Sequence, residues 1–450
     1  MKSDKLIAVH NGALGDFLCA WPALLALARG AGTPGTRPDG AGPEHAVAQG
    51  GKGGDAPRLL FAGNMERMRW LAPLGYAPCP PDMRRALDGL YGEPEIAVWP
   101  QALAGATLAW FCLDRSSVAA HPRVLPLPCL SSGVDGGGMD GGGTGGGGTG
   151  GDATGAEAPA MAPAAHPGNA SHVSHVSQIG QIGQIGQIGQ IGQIGQIGQI
   201  GQIGQIGQIG QIGQIGPTGQ ARHVTETLRN RLEHVVPSAL PWPPRWDENW
   251  HGTWQTLFGG WDGGDSRTVV LVPGAGHRAK QWPPRRFAVV AGELRRAGYN
   301  PLYVLGPAEL ERGLDRGSLM PEGGDVPVVT PADHDELAHL LRSARLVIGN
   351  DSGPLHLAAL HGVPVLALFG PAPASAWCPH GAVALASPLE CAPCSATLRR
   401  LACGWGHGNG SPPGNTGRNG TTDPHGPCPC MAAITVRTTL TNTLELLGIS

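Results

Sequence analysis

Between residues 268 and 369 short apolar runs rich in Val, Ile and Leu alternate with stretches of helical spacing. Strands are expected at 268–272, 301–305, 326–330, 346–348 and 365–369, with helices at 284–297, 333–343 and 354–361 between them. Strands joined through helices pair in parallel, because a parallel connection needs a crossover longer than a hairpin. The alternation therefore confines this part of the chain to a doubly wound α/β sheet. In such sheets ligands bind beyond the carboxyl ends of the strands. The first 130 residues carry a second, looser version. It starts with a strand at 6–9, a loop ending at Gly15-Asp16, and an apolar helix at 17–28 with Pro22 in its early turns. Further strands are expected at 59–62, 96–99, 108–112 and 125–130, with a helix near 65–74.

Composition enters where the two halves meet. With 73 Gly and 42 Pro among 450 residues, one residue in four disfavours regular structure. The average hides two unlike parts. Residues 131–220 hold 29 of the glycines, no Lys or Arg, and thirteen consecutive copies of Gln-Ile-Gly at 178–216. Collagen needs Pro between its glycines, and a stacked solenoid needs longer repeats, so a flexible surface insert is expected. The rest of the chain holds 31 Lys and Arg against 30 acids. Near neutrality argues against nucleic acid as the main partner. The amino-terminal residues read as a strand rather than a charged-then-apolar leader, and no apolar run approaches the roughly 20 residues of a membrane span, so a cytoplasmic protein is expected.

Three loops carry chemistry. Gly349-Asn350-Asp351-Ser352-Gly353-Pro354 ends a strand and opens a helix. Pro suits a first helical turn, and free amides at Ser352 and Gly353 suit an anion; Asp351 suits hydroxyls instead. Pro273-Gly274-Ala275-Gly276-His277-Arg278-Ala279-Lys280 is a Gly-rich turn ending in a cation, although its spacing is not that of a P-loop. Asn11-Gly12-Ala13-Leu14-Gly15-Asp16 places a carboxylate at a helix start, as a cap or as a general base. Trp242, Trp246, Trp250 and Trp254 recur every fourth residue, a stripe expected to serve core or inter-domain packing. Cys391, Cys394, Cys403, Cys428 and Cys430 offer five thiols. The Cys-x-x-Cys half-site suggests zinc, but the second half is atypically spaced, so bound metal, a disulfide and reduced thiols all stay open.

Together the loops resemble glycosyltransferase family nine, the bacterial ADP-heptose:lipopolysaccharide heptosyltransferases. The similarity lies in Leu14-Gly15-Asp16 followed by Trp21-Pro22-Ala23, and in Pro273-Gly274-Ala275 with Lys280-Gln281-Trp282-Pro283. It lies also in Asp351-Ser352-Gly353-Pro354-Leu355-His356 with Gly362-Val363-Pro364 and Phe369-Gly370-Pro371. It covers 1–130 and 222–450. The resemblance implies two Rossmann-like domains facing a cleft, the GT-B arrangement. Residues 1–130 would form the acceptor domain and 131–221 the insert. Residues 222–264 would close the first domain and link it to a nucleotide-sugar domain at 265–450.

By the same resemblance Asp16 is the catalytic base of an inverting, metal-independent transfer. Lys280, Ala275, Gly276, Ser352 and Gly353 would hold the donor diphosphate. Asp351, Glu309 and His356 would meet the donor's sugar or nucleotide, although His356 reads equally as a helix histidine bonded to a neighbouring loop. The implied donor is ADP-heptose, with no cofactor. The implied acceptor is a lipid-linked saccharide at the inner-membrane face.

Overall fold

The computed structural model describes residues 5–32, 58–91, 96–112, 120–129, 222–235, 240–263, 267–311, 314, 316–321, 324–394 and 427–449. All of these belong to one unit formed by Met1–Asp135 and Gly207–Ser450. The Gln-Ile-Gly insert expected at 131–221 lies outside the described residues, as does Cys403.

The amino-terminal part is built from β1 (Lys5–His10), α1 (Leu14–Ala31), β2 (Leu59–Gly63), α2 (Met68–Leu71), β3 (Ala77–Pro78), α3 (Pro81–Asp88), β4 (Ala106–Cys112) and β5 (Val124–Pro128). The strands form one sheet in the order β3-β2-β1-β4-β5, and each pair runs parallel. β1 is central, with Ile7 opposite Leu60 on one side and Leu108 on the other. Leu6 to Val9 are consequently buried on both faces, which explains an unbroken apolar run rather than an alternating one.

The chain continues through α4 (Val224–Asn230), a wider turn at Arg231–Val235, and α5 (Trp250–Phe258). The second sheet follows, with β6 (Thr268–Val272), α6 (Pro284–Arg296), β7 (Asn300–Val304), α7 (Pro307–Glu311), β8 (Val328–Val329), α8 (His334–Arg342), β9 (Leu346–Asn350), α9 (Gly353–Leu360), β10 (Val365–Phe369), α10 (Ala374–Trp377) and β11 (Val383–Ala386). α11 (Pro429–Ala433) and α12 (Val436–Leu446) complete it. The order is β11-β10-β9-β6-β7-β8, again parallel throughout. The expected α/β architecture of two Rossmann-like parallel sheets is the architecture observed.

Three expectations fail locally. Residues 96–99 form no strand: Ile96 is buried, Val98 is 82% exposed, and the segment bends towards Pro100. The Trp repeat is not one helical stripe, because helix begins only at Trp250, beyond Pro243-Pro244, two adjacent prolines that lack N–H donors and disfavour a helix interior. Its expected packing role holds. Trp254 is fully buried and meets Trp21 edge-on at 5.0 Å between ring centres, and Trp242 donates its indole N–H to the Leu27 carbonyl. Finally, α1 is long and apolar enough to cross a membrane by length and composition, contrary to the sequence reading. Here Phe17 to Ala28 are buried without interruption.

One apolar core runs from Leu6, Phe17 and Trp21 through Trp254 to Leu355, Leu357 and Phe369. It therefore reaches from the first sheet across α1 and α5 into α9 and the second sheet. That core carries the amino end of α1 up to the amino end of α9.

Candidate functional site

Asp16 is the third residue of α1. Its Oδ2 accepts the Ala13 backbone N–H at 3.0 Å, the returning half of a capping box, since Ala13 has no side-chain acceptor for the other half. Gly12 makes this fold-back possible: a methyl group there would stand 2.9 Å from the same oxygen. Burial raises the Asp16 pKa, the Ala13 N–H and Lys280 oppose the rise, Asp351 adds to it, and Arg67 opposes it. Lys280 and Asp351 belong to the second sheet. The carboxylate thus senses charges from both halves.

Lys280 follows β6 and Asp351 follows β9. They pair at 2.6 Å, Nζ to Oδ2, with Asp351 buried and Lys280 24% exposed. Asn350 binds the two loops together. Its amide donates to the Pro273 carbonyl at 2.7 Å and its Oδ1 accepts the Trp282 N–H at 2.9 Å. Trp282 is itself buried and donates its indole N–H to the Ile434 carbonyl. The loop bearing Lys280 is thereby fixed at both ends. Asn350 carried no role in the sequence reading, although its strand-end position beside Asp351 was visible.

Ser352 caps α9 without a side-chain hydrogen bond, and its Oγ is buried with no partner among the described residues. Gly353 packs on α1, where a methyl would stand 2.8 Å from Leu14 Cβ and 3.1 Å from the Gly15 nitrogen. Both helix amino ends, with their positive dipole ends, therefore converge. Ala275 is buried, whereas a methyl on Gly276 would meet nothing within 4 Å. Glu309 accepts the Gly306 N–H at 2.9 Å, and its carboxyl lies where a methyl on Gly274 would collide. That places Glu309 at the carboxyl ends of β6 and β7, beside the Lys280 loop.

His356 is buried inside the contact between the halves. Its Nδ1 lies 3.5 Å from Cys19 Sγ on α1. Burial pulls its pKa down to about 4, so the ring is neutral at physiological pH. Its partner is thus a helix of the first half, α1, rather than a neighbouring loop.

Two residues outside the sequence reading flank Asp16. Arg67 follows β2 and is buried. It approaches His10 Nδ1 at 2.9 Å and donates to the Gly12 carbonyl at 2.6 Å. Arginine has no acceptor, so His10 must offer its lone pair there. Burial, then the Arg67 charge, lower the His10 pKa to about 4.

Away from this cleft, Cys391, Cys394 and Cys430 bring their sulfur atoms within 4.8 Å of one another, with Cys394 and Cys430 at 3.5 Å. Cys428 is buried nearby in the same core but is not part of that group.

The sequence pattern of "Glycosyltransferase family 9 (heptosyltransferase)" matches residues 253–403. The curated lipopolysaccharide heptosyltransferase 3 of Escherichia coli is 33% identical over 106 residues, 23% of this chain and 31% of that protein. The match thus spans about a third of the relative's length. Among solved structures, the glycosyl transferase family 9 from Veillonella parvula DSM 2008 aligns over 99% of this chain and 98% of that one, with 13% identity and a TM-score of 0.46. The E. coli heptosyltransferase WaaC with ADP-2-deoxy-2-fluoro heptose aligns over 85% and 93%, with 13% identity and a TM-score of 0.40. The matched residues 253–403 contain Lys280, Glu309, Asp351, Ser352, Gly353 and His356, and over this segment the chain is similar to glycosyltransferase family 9.

Proposed function

We propose that the chain transfers heptose from ADP-heptose to a sugar hydroxyl of a lipid-linked saccharide of the lipopolysaccharide core type. The observation that carries this reading is the position of Asp16. It lies in electrostatic contact with Lys280 and Asp351, so one carboxylate from the first sheet faces a cation and an acid from the second. A nucleotide sugar held at the carboxyl ends of the second sheet would present its anomeric carbon between them.

In this reading Asp16 accepts the proton of the acceptor hydroxyl. The oxygen forms a bond to the anomeric carbon as the bond from that carbon to the diphosphate oxygen breaks. The electron pair leaves with ADP, and the configuration inverts. Lys280 and the amides of Ser352 and Gly353 stabilise the departing diphosphate by fixed charge and dipole. Ala275 and Gly276 let the β6 loop approach the phosphates closely. Asp351 orients Lys280 and faces the donor sugar, and Glu309 faces the ribose. Residues 1–130 would hold the acceptor and residues 265–450 the donor, with the protein working peripherally at the cytoplasmic face of the inner membrane.

The test is release of ADP from ADP-heptose by the purified full chain, with a core-saccharide acceptor, against a panel of UDP- and GDP-sugars. Acceptor-dependent release preferring ADP-heptose supports the reading. A clear preference for a UDP- or GDP-sugar replaces the donor assignment.

A further inference from the structure

We infer that Arg67 is a positioning residue for the Asp16 base: its buried guanidinium ties down the β1–α1 turn and keeps a permanent positive charge beside the carboxylate. The inference rests on the base role proposed above for Asp16.

The geometry is specific. Arg67 lies just beyond β2, next to the central strand, and is 5% exposed. One terminal nitrogen donates towards His10 Nδ1 and the other donates to the Gly12 carbonyl. His10 ends β1 and Gly12 lies in the turn that leads to Asp16, so the fork spans the hinge of that turn. The guanidinium also lies over the Phe17 ring, 5.1 Å from its centre. Its Nε is buried and has no hydrogen-bond partner among the described residues. A buried charge with an unsatisfied donor is costly unless an opposite charge compensates it. Asp16 is the stronger of the opposite charges acting on Arg67, ahead of Glu66.

The other groups facing Asp16 come from every side of the cleft. Lys280 and Asp351 approach from the second sheet, and Ala13 donates from the turn. Cys19 on α1 and Cys129 beyond β5 interact electrostatically with Asp16, but burial holds both thiols neutral. Lys280 is already paired to Asp351. Lys280, itself shared with Asp351, and then Arg67 are the cations that favour the ionised form of Asp16. A base is useful only when ionised at working pH, and burial alone would protonate this one.

The experiment titrates Asp16 directly. In the full chain labelled with 13C at aspartate carboxyls, the Asp16 signal is the one lost in Asp16→Asn. Removing a charge at this range moves a carboxylate by about one pH unit or more. Arg67→Gln, which keeps a donor for the Gly12 carbonyl, is expected to raise the Asp16 midpoint by about that amount. Arg67→Lys, which keeps the charge but not the fork, is expected to leave the midpoint nearly in place and to lower turnover at every pH. In Arg67→Gln the acid limb of kcat/KM should move upward by the same shift, with roughly tenfold lower activity on that limb and far less loss at high pH. An unmoved Asp16 midpoint in Arg67→Gln overturns the inference. So does a rate loss equal at all pH values, which would mark a structural role alone. If the midpoint moves but no donor is turned over, the transfer reading fails and the charge coupling stands.

Discussion

Gly15 and Gly353 meet where the two halves of the molecule touch. A methyl on Gly15 would stand 3.5 Å from the Gly353 Cα, and a methyl on Gly353 would stand 3.1 Å from the Gly15 nitrogen and 2.8 Å from Leu14 Cβ. Two glycines thus let the amino ends of α1 and α9 approach closely enough for Asp16, Lys280 and Asp351 to share one site. The closer approach is at Gly353, so the two positions are not equivalent. Gly353→Val is expected to push α1 and α9 apart and cut kcat/KM by roughly tenfold or more, the cost of a displacement near 1 Å. Gly15→Ala, with contacts near the ordinary range, should cost much less. Steady-state rates with circular dichroism of both variants make the comparison; equal losses would contradict it.

Lys280 and Asp351 form a largely buried pair, so removing one partner strands the other. Lys280→Met is expected to lower stability and to weaken ADP binding by roughly tenfold or more, the worth of a charge-assisted hydrogen bond. Adding Asp351→Asn should recover stability while donor affinity stays low. Calorimetry and denaturant titration of the single and double variants separate the two effects. Recovery of both together would mean that Lys280 serves folding only.

Burial brings His10, His356 and His361 each to a pKa of about 4. An unfolded histidine titrates near 6.5, so below that pH the unfolded chain binds protons that the folded chain refuses. The stability contributed by these neutral rings is complete above about pH 6.5 and is lost as the pH falls towards 4. Urea midpoints should stay level above about pH 7 and fall between about pH 6.5 and pH 5, and His361→Gln should flatten that fall. A midpoint independent of pH over this range would contradict the assignment.

Cys391, Cys394 and Cys430 place three sulfur atoms within 4.8 Å, three of the four ligands of a tetrahedral thiolate site. Burial and the neighbouring thiols push the Cys430 pKa up, a cost that a bound cation would reverse. The reduced full chain is expected to take up about one equivalent of Zn²⁺. Cys430→Ser should weaken that uptake by roughly tenfold or more, read by competition with a chromogenic chelator. A chain that ignores micromolar Zn²⁺ would leave the cluster as packed, reduced thiols.

Much of this was legible in residue order. The central strands β6, β9 and β10 are continuous apolar runs because each is covered on both faces, and Asp16, Lys280 and Asp351 stood out because each lies in a loop after an apolar run. What was hidden depends on tertiary contact. Arg67 sits in Met65-Glu66-Arg67-Met68-Arg69-Trp70, where nothing in the spacing marks it as the buried cation. Gly353 read as part of an anion-binding turn and Gly15 as part of the loop before Asp16, and only their meeting shows a second task. α12 escaped notice because its buried face is polar. Thr439 and Thr443 bury their hydroxyls by returning hydrogen bonds to the carbonyls four residues earlier, at 2.9 and 2.7 Å. The Trp repeat misled because helical spacing persisted through Pro243-Pro244, where helix could not.

The central claim is that Asp16 removes the acceptor's proton across the cleft from a donor held by Lys280. Single-turnover transfer by Asp16→Asn, with ADP-heptose binding measured in parallel, tests it most directly. Asn keeps the size of the side chain and its acceptor for the Ala13 N–H but cannot take a proton. The account predicts donor affinity within about threefold of the parent and transfer slowed by roughly 100-fold or more, the usual worth of a general base. Transfer at the parental rate, with the donor bound equally well, would contradict it.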